Sequence, residues 1–286
     1  MRLRGKVNTG QIEDRRGSRR GMAIGGGGVG IVGVVLAIVI TLAGGGNGAD
    51  VLRQLQAPSS TSTGADSEPL SCPDGAQTNT ACFVTAVVND VQATWTDIFA
   101  KTGRPYQETK LVLYTDATSS GCGPANSAVG PFYCPADQKV YLDLGFFQEL
   151  RTRFGAPGDF AQAYVIAHEF GHHIQNLLGT SDKVYRAEQK NRGDANALSV
   201  RLELQADCYA GVWAAHTSAQ PDPSDFNEAL DAAASVGDDR LQKQAGQRVN
   251  QDTWTHGSSA ERMRWFQRGL SNGSMSDCDT FSATTL

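Results

Sequence analysis

Residues 164–178 read YVIAHEFGHHIQNLL. Tyr164, Val165, Ile166, Phe170, Ile174, Leu177 and Leu178 recur at helical spacing, which predicts a helix over 159–178. Residues four apart on a helix lie one above the other, so His168 and His172 present two imidazoles to one point. That is the geometry for two positions of a tetrahedral zinc site. Glu169 stands one residue round, where it can reach a metal-activated water without being a ligand. Composition alone yields H-E-x-x-H in about one chain of this length in a hundred. The bland alternative is a helix whose histidines are satisfied by ordinary hydrogen bonds.

A third ligand decides between them. Gln175 and Leu178 stand where the H-x-x-G-x-x-H continuation would need glycine and histidine in register, so that class is excluded. Residues 201–210 read RLELQADCYA, with Glu203 and Asp207 on one face of a second helix. The flanking Leu202, Leu204, Ala206, Ala210 and Trp213 make that helix a buried one, and buried carboxylates need partners. Glu203 is the expected third ligand. Asp207 is the expected acceptor for a ligand histidine's second N–H, fixing its tautomer. An ordinary acidic stripe, or a salt bridge to Arg201, is the competing reading. Glu188, Asp194 and His216 are weaker candidate ligands.

These two helices, HEFGHH and ELQADCYAGVWA, resemble the bacterial neutral zinc metallopeptidase family. GCGPANSAVGPFYCPADQKVYLDLGFFQEL, THGSSAERMRWF and the terminal CDTF are similar too, so the resemblance spans nearly the whole chain in order. More distantly, E-x-x-A-D at Glu203–Asp207 looks like integral-membrane gluzincins. The resemblance implies a zincin-like domain, one Zn²⁺ per chain on His168, His172 and Glu203, and Glu169 as catalyst. The expected activity is hydrolysis of a peptide or protein substrate in the cell envelope, by Glu-assisted attack of a zinc-bound water. Two alternatives remain: a zinc-binding interaction scaffold with weak or no catalysis, and a zinc hydrolase acting on another amide. His256, in Trp254-Thr255-His256-Gly257-Ser258 just before an amphipathic helix, is the expected second donor to the oxyanion. A histidine satisfied by its own loop is the competing reading.

Outward from this region the chain divides. Residues 1–20 hold seven Lys/Arg against Glu13 and Asp14, while the whole chain carries −5, so the remainder is strongly acidic. An acidic globular part argues against nucleic-acid binding. Residues 21–43 carry no charge and are long enough to cross a bilayer. With the basic flank N-terminal, the expectation is a single-pass anchor in the cell membrane, a cytoplasmic tail over 1–20 and an extracytoplasmic domain. A cleaved signal peptide is the alternative. Residues 44–70 read as a flexible Ser/Thr/Pro-rich linker, and 71–286 as the zinc domain.

All six cysteines lie in that domain. Six allow 15 pairings. Proximity favours Cys72–Cys82 and Cys122–Cys134, which leaves Cys208–Cys278. Helical patterns recur near 80–101, 144–154, 182–191, 196–216, 224–236 and 259–270. KLVLYT (110–115) and KVYLD (139–143) read as strands of a small antiparallel sheet. The expected fold class is α+β and mostly helical.

Overall fold

The structure is a computed structural model, and it describes residues 1–3, 7–17 and 70–286. Eight α-helices are present among them: α1 (Thr80–Lys101), α2 (Phe146–Thr152), α3 (Asp159–Leu177), α4 (Thr180–Lys190), α5 (Ala195–His216), α6 (Pro223–Ser235), α7 (Asp238–Gln244) and α8 (Ser259–Asn272). The strands are β1 (Ile12–Asp14), β2 (Leu111–Tyr114), β3 (Ala117–Ser120), β4 (Gly123–Asn126), β5 (Phe132–Cys134) and β6 (Lys139–Asp143). The protein is therefore α+β and mostly helical, as its periodicities predict.

Three of the helices begin at side-chain caps. The Asn79 side chain accepts the Cys82 N–H at the start of α1. Asp222 and Asp225 form a reciprocal cap on α6, and Ser258 and Glu261 do the same on α8. Burial then fixes their arrangement. Val84, Val87, Val88, Val91, Trp95 and Phe99 of α1 join Phe160, Ile166, Phe170, Leu204, Trp213 and Phe266 in one core. Helix α3 meets α5 at Gly171, where an added Cβ would lie 2.9 Å from the Ala206 carbonyl oxygen. That close approach lets the two ligand-bearing turns face each other.

The sheet departs from expectation. Its order is β1-β2-β6-β5, with β1–β2 and β2–β6 parallel and only β5–β6 antiparallel. The long connection between β2 and β6 leaves room for the β3–β4 hairpin and β5, so the chain can return in the same direction. The central strands are also apolar on both faces. Leu111 and Leu113 enter the main core, while Val112 and Tyr114 enter a second cluster with Phe132 and Tyr141. Continuous apolar runs of that kind mark parallel, doubly covered strands.

The N-terminal segment overturns the expected topology. Ile12–Asp14 pair with Leu111–Leu113 as the edge strand of the sheet. The Met1 amine binds Asp225 at 2.9 Å, Lys139 Nζ binds Glu13 at 2.7 Å, and Asn89 brackets Asn8 and Gln11. A tail hydrogen-bonded into the domain's own sheet shares that domain's compartment. A cytoplasmic tail with the domain outside, the single-pass cell-membrane arrangement, is therefore withdrawn. The expected anchor (21–43) and the linker up to residue 69 lie outside the described residues. Among the described residues, no helix is long and apolar enough to cross a membrane.

Three disulfides are formed, Cys72–Cys82, Cys122–Cys134 and Cys208–Cys278. The last ties the C-terminal segment to α5, where Gln205 Nε2 also donates to the Cys278 carbonyl at 2.9 Å.

Candidate metal centre

Helices α3 and α5 bring His168, His172 and Glu203 together. One ligand atom from each lies within 4.8 Å of the others. Glu203 Oε2 is 3.2 Å from His168 Nε2, and Glu203 Oε1 is 3.4 Å from His172 Nε2. The other ring nitrogens are engaged behind them. His168 Nδ1 donates to Asp207 Oδ1 at 2.8 Å, and His172 Nδ1 donates to Gln175 Oε1 at 2.9 Å. Both Nε2 atoms are thus turned to the same point as the carboxylate. Two imidazoles oriented from behind and one carboxylate are a donor set that fits zinc.

The support behind His168 is wholly buried. Arg262 of α8 clamps Asp207 through Nε at 2.8 Å and Nη2 at 2.9 Å. The Tyr164 hydroxyl, one turn before His168, donates to the same carboxylate. Asp207 is 0 % exposed and Arg262 4 %. Burial pushes the Asp207 carboxyl up, but Arg262 and His168 outweigh it and hold it below the usual range. Burial likewise opposes charge on His168, yet Asp207 and Glu203 raise its pKa. Glu203 is held well below the carboxylate range by His172 and His168 against its burial.

Glu169 behaves differently. It is buried at the cleft wall and makes no hydrogen bond among the described residues, and burial raises its carboxyl above the usual value despite His172 and His168. A desolvated carboxylate with no partner takes up a proton more readily than an exposed one.

His256 lines the same cleft. Its loop is gathered by Asp238 at the start of α7. Asp238 Oδ2 accepts the backbone N–H groups of Thr255, His256 and Gly257 at 2.8, 2.7 and 3.0 Å, and Oδ1 lies 3.3 Å from His256 Nδ1. Gly257 has φ +90°, a conformation that favours glycine and turns the loop beneath the ring. Burial lowers the His256 pKa, but the Asp238 bond and the charge of Glu203 outweigh it and raise it.

The remaining candidates fall elsewhere. His216 Nε2 binds the Gly273 carbonyl at 2.8 Å, Asp194 accepts from Asn191, and Glu188 sits on the cleft wall outside the cluster. The third histidine of the motif, His173, points the other way. It donates to the Gln107 carbonyl at 2.6 Å and accepts from Tyr133 at 3.1 Å, pinning α3 to β5. Arg262, Tyr164 and Gln175 are absent from the sequence-based candidates. Arg262 carried a signal: it occupies the first position of the buried stripe Arg262, Trp265, Phe266, Gly269, and an arginine there implies a buried acid.

The cleft in front of the cluster has a volume of about 870 Å³. It is bounded by the β5 edge, by α2 and by α4. The domain is mostly helical, and its cluster of two histidines and a carboxylate lines this cleft. The sequence model of the family described as "Putative neutral zinc metallopeptidase" matches residues 1–281, and the chain belongs to that family. It is 43% identical to the uncharacterized protein YpfJ of Escherichia coli strain K12, over 98% of this chain and 99% of that protein. It is 47% identical to the uncharacterized protein Mb2605 of Mycobacterium bovis, over 75% of this chain and 76% of that one. No solved structure shows a significant match.

Proposed function

We propose that the protein is a zinc-dependent peptidase that holds its metal on His168, His172 and Glu203 and uses Glu169 as general base and acid. The observation that carries this reading is the unengaged Glu169 carboxylate, beside the convergent donor set and open to the cleft. Zinc bound there supplies Lewis acidity toward a scissile carbonyl and toward water. Glu169 takes a proton from the attacking water and returns it to the leaving amine. Asp207, held by Arg262 and Tyr164, keeps the His168 ring oriented. His256 donates from Nε2 to the developing oxyanion while Asp238 holds Nδ1. An extended peptide lies along the β5 edge, where backbone pairing suits an enzyme that must read main chain.

Metal analysis and peptide turnover on four variants test the reading. Glu203→Ala loses zinc and activity together. Glu169→Gln keeps zinc and loses most turnover, because an amide cannot accept the proton. His256→Ala lowers kcat by about a hundredfold with zinc retained. Asp207→Asn weakens zinc binding by about 10–100-fold. Full zinc occupancy and activity in Glu203→Ala, or normal turnover in Glu169→Gln, would remove those residues from the mechanism.

A further inference from the structure

One wall of the cleft is α4, and it carries a feature the chemistry above does not use. Ser181, Val184, Tyr185 and Glu188 fall at i, i+3, i+4 and i+7, on one helix face, and all four line the cleft. Val184 is buried and anchors the helix. Tyr185 is 53 % exposed, the most exposed large apolar side chain among the described residues. An aromatic ring left open inside a cleft offers its face to whatever occupies that cleft. Glu188, three residues on, is half-buried and has no hydrogen bond or ion pair among the described residues. Its burial raises the carboxyl above the usual value. Partial desolvation without a partner is a cost that an incoming cation removes.

The arginines of the rest of the cleft each face an acid of their own. Outside the metal cluster the cleft's charged groups are Glu149, Arg153, Glu169, Asp182, Glu188 and Arg262, with His256 beside them, and Arg262 is taken up by Asp207. Arg153 lies 3.9 Å from Glu149 and over the Phe154 ring, so its charge is already matched. Asp182 stands at the rim with no salt-bridge partner among the described residues and adds negative potential.

An open ring beside an unpaired carboxylate is the pair that recognises an ammonium or guanidinium group: the π-face and the charge act on the same cation. Resting on the peptidase reading, we infer that Tyr185 and Glu188 form a subsite for a lysine or arginine side chain, so the substrates are basic peptides. Tyr185 and Glu188 are specificity residues here and take no part in the chemical step.

The test separates this subsite from the peptidase reading by measuring binding and turnover on the same peptides. The probes are short fluorescein-labelled peptides of one frame, carrying a single Lys, norleucine or Glu at each position in turn. Binding is measured by anisotropy to the full chain, zinc-loaded and carrying Glu169→Gln. At one position Lys binds about tenfold more tightly than norleucine, and Glu more weakly than either. Adding Glu188→Gln brings the Lys/norleucine ratio close to one while norleucine binding is unchanged. Adding Glu188→Lys inverts the preference toward Glu. Tyr185→Ala loses part of the preference and Tyr185→Phe keeps it. Thermal melts confirm that each variant is folded. A Lys/norleucine ratio near one at every position, or a ratio that survives Glu188→Gln, overturns the subsite. Glu188-dependent binding of Lys peptides that the wild type never cleaves leaves the subsite standing and overturns the peptidase reading. Cleavage that is indifferent to Lys does the reverse.

Discussion

Charged residues occur in two contrasting settings in this molecule. Around Asp207 they are sealed: Arg262, Tyr164 and His168 surround a carboxylate that is 0 % exposed. Along residues 12–16 they are open: Glu13 is 34 % exposed and bridges Arg15 and Lys139, and Arg16 folds back on Asp14. Both settings join distant parts of the chain, but by different physics. In the sealed one each group is costly to bury and exists only because the others are present, so removing one strands the rest. In the open one water replaces any lost partner, and the segment is held by backbone pairing and many small contacts.

The contrast fails most visibly if Arg262 proves dispensable. Arg262→Met leaves Asp207 buried without its arginine, held only by His168 and Tyr164, and a loss of about 3–5 kcal/mol is expected by chemical denaturation. Next comes the clamp on the same helix. Cys208 and Cys278 close a loop of 70 positions, and replacing both by Ser costs about 4 kcal/mol on loop entropy, read as the denaturant midpoint under oxidising conditions. Asp238 is intermediate, buried yet bound mostly to backbone N–H groups, and Asp238→Asn costs about 1.5–3 kcal/mol. Its pH dependence sharpens the point. The lowered Asp238 pKa contributes stability that is fully present above about pH 3.9 and lost as pH falls through the folded value. The raised His256 pKa contributes stability that is fully present below about pH 6.5 and lost as pH rises through the folded value. The gap in Tm between wild type and Asp238→Asn is therefore widest between about pH 4 and 6.5 and narrows on either side. Smallest is Glu13→Gln, at less than about 1 kcal/mol and diminished further by salt.

The same contrast explains what could be read from the sequence. His168, His172, Glu203 and Asp207 were legible because helical spacing alone places i and i+4 on one face, and burial of the flanking residues was visible beside them. Their supports were not. Arg262 lies in ERMRWF, which reads as a surface helix unless the stripe from Arg262 to Gly269 is followed with arginine counted as a core position. Helix α7 has a single large apolar residue, Leu241, among seven, and periodicity cannot speak for so short a stretch. The parallel pairing of β2 and β6 was present in their unbroken apolar runs, although two short β-rich runs in a helical chain read as a small antiparallel sheet. Strand β1 was hidden most deeply. Its three residues sit in a basic segment beside a long apolar stretch, and its partner lies far along the chain.

That distance has a consequence for how the protein is made. Ile12 leaves the ribosome first, yet its partner Leu111 follows about a hundred positions later. At about 5–20 residues per second the opening strand waits roughly 5–20 seconds before its neighbour exists. Parallel pairings of such large contact order form slowly, because the intervening chain must be closed before any bond rewards it. Strand β1 can therefore join the sheet only after β2 has been synthesised. Nascent chains arrested before Leu111 carry it unprotected, and pulse-labelled chains gain resistance to cleavage at residues 12–16 only after the domain behind it has been synthesised.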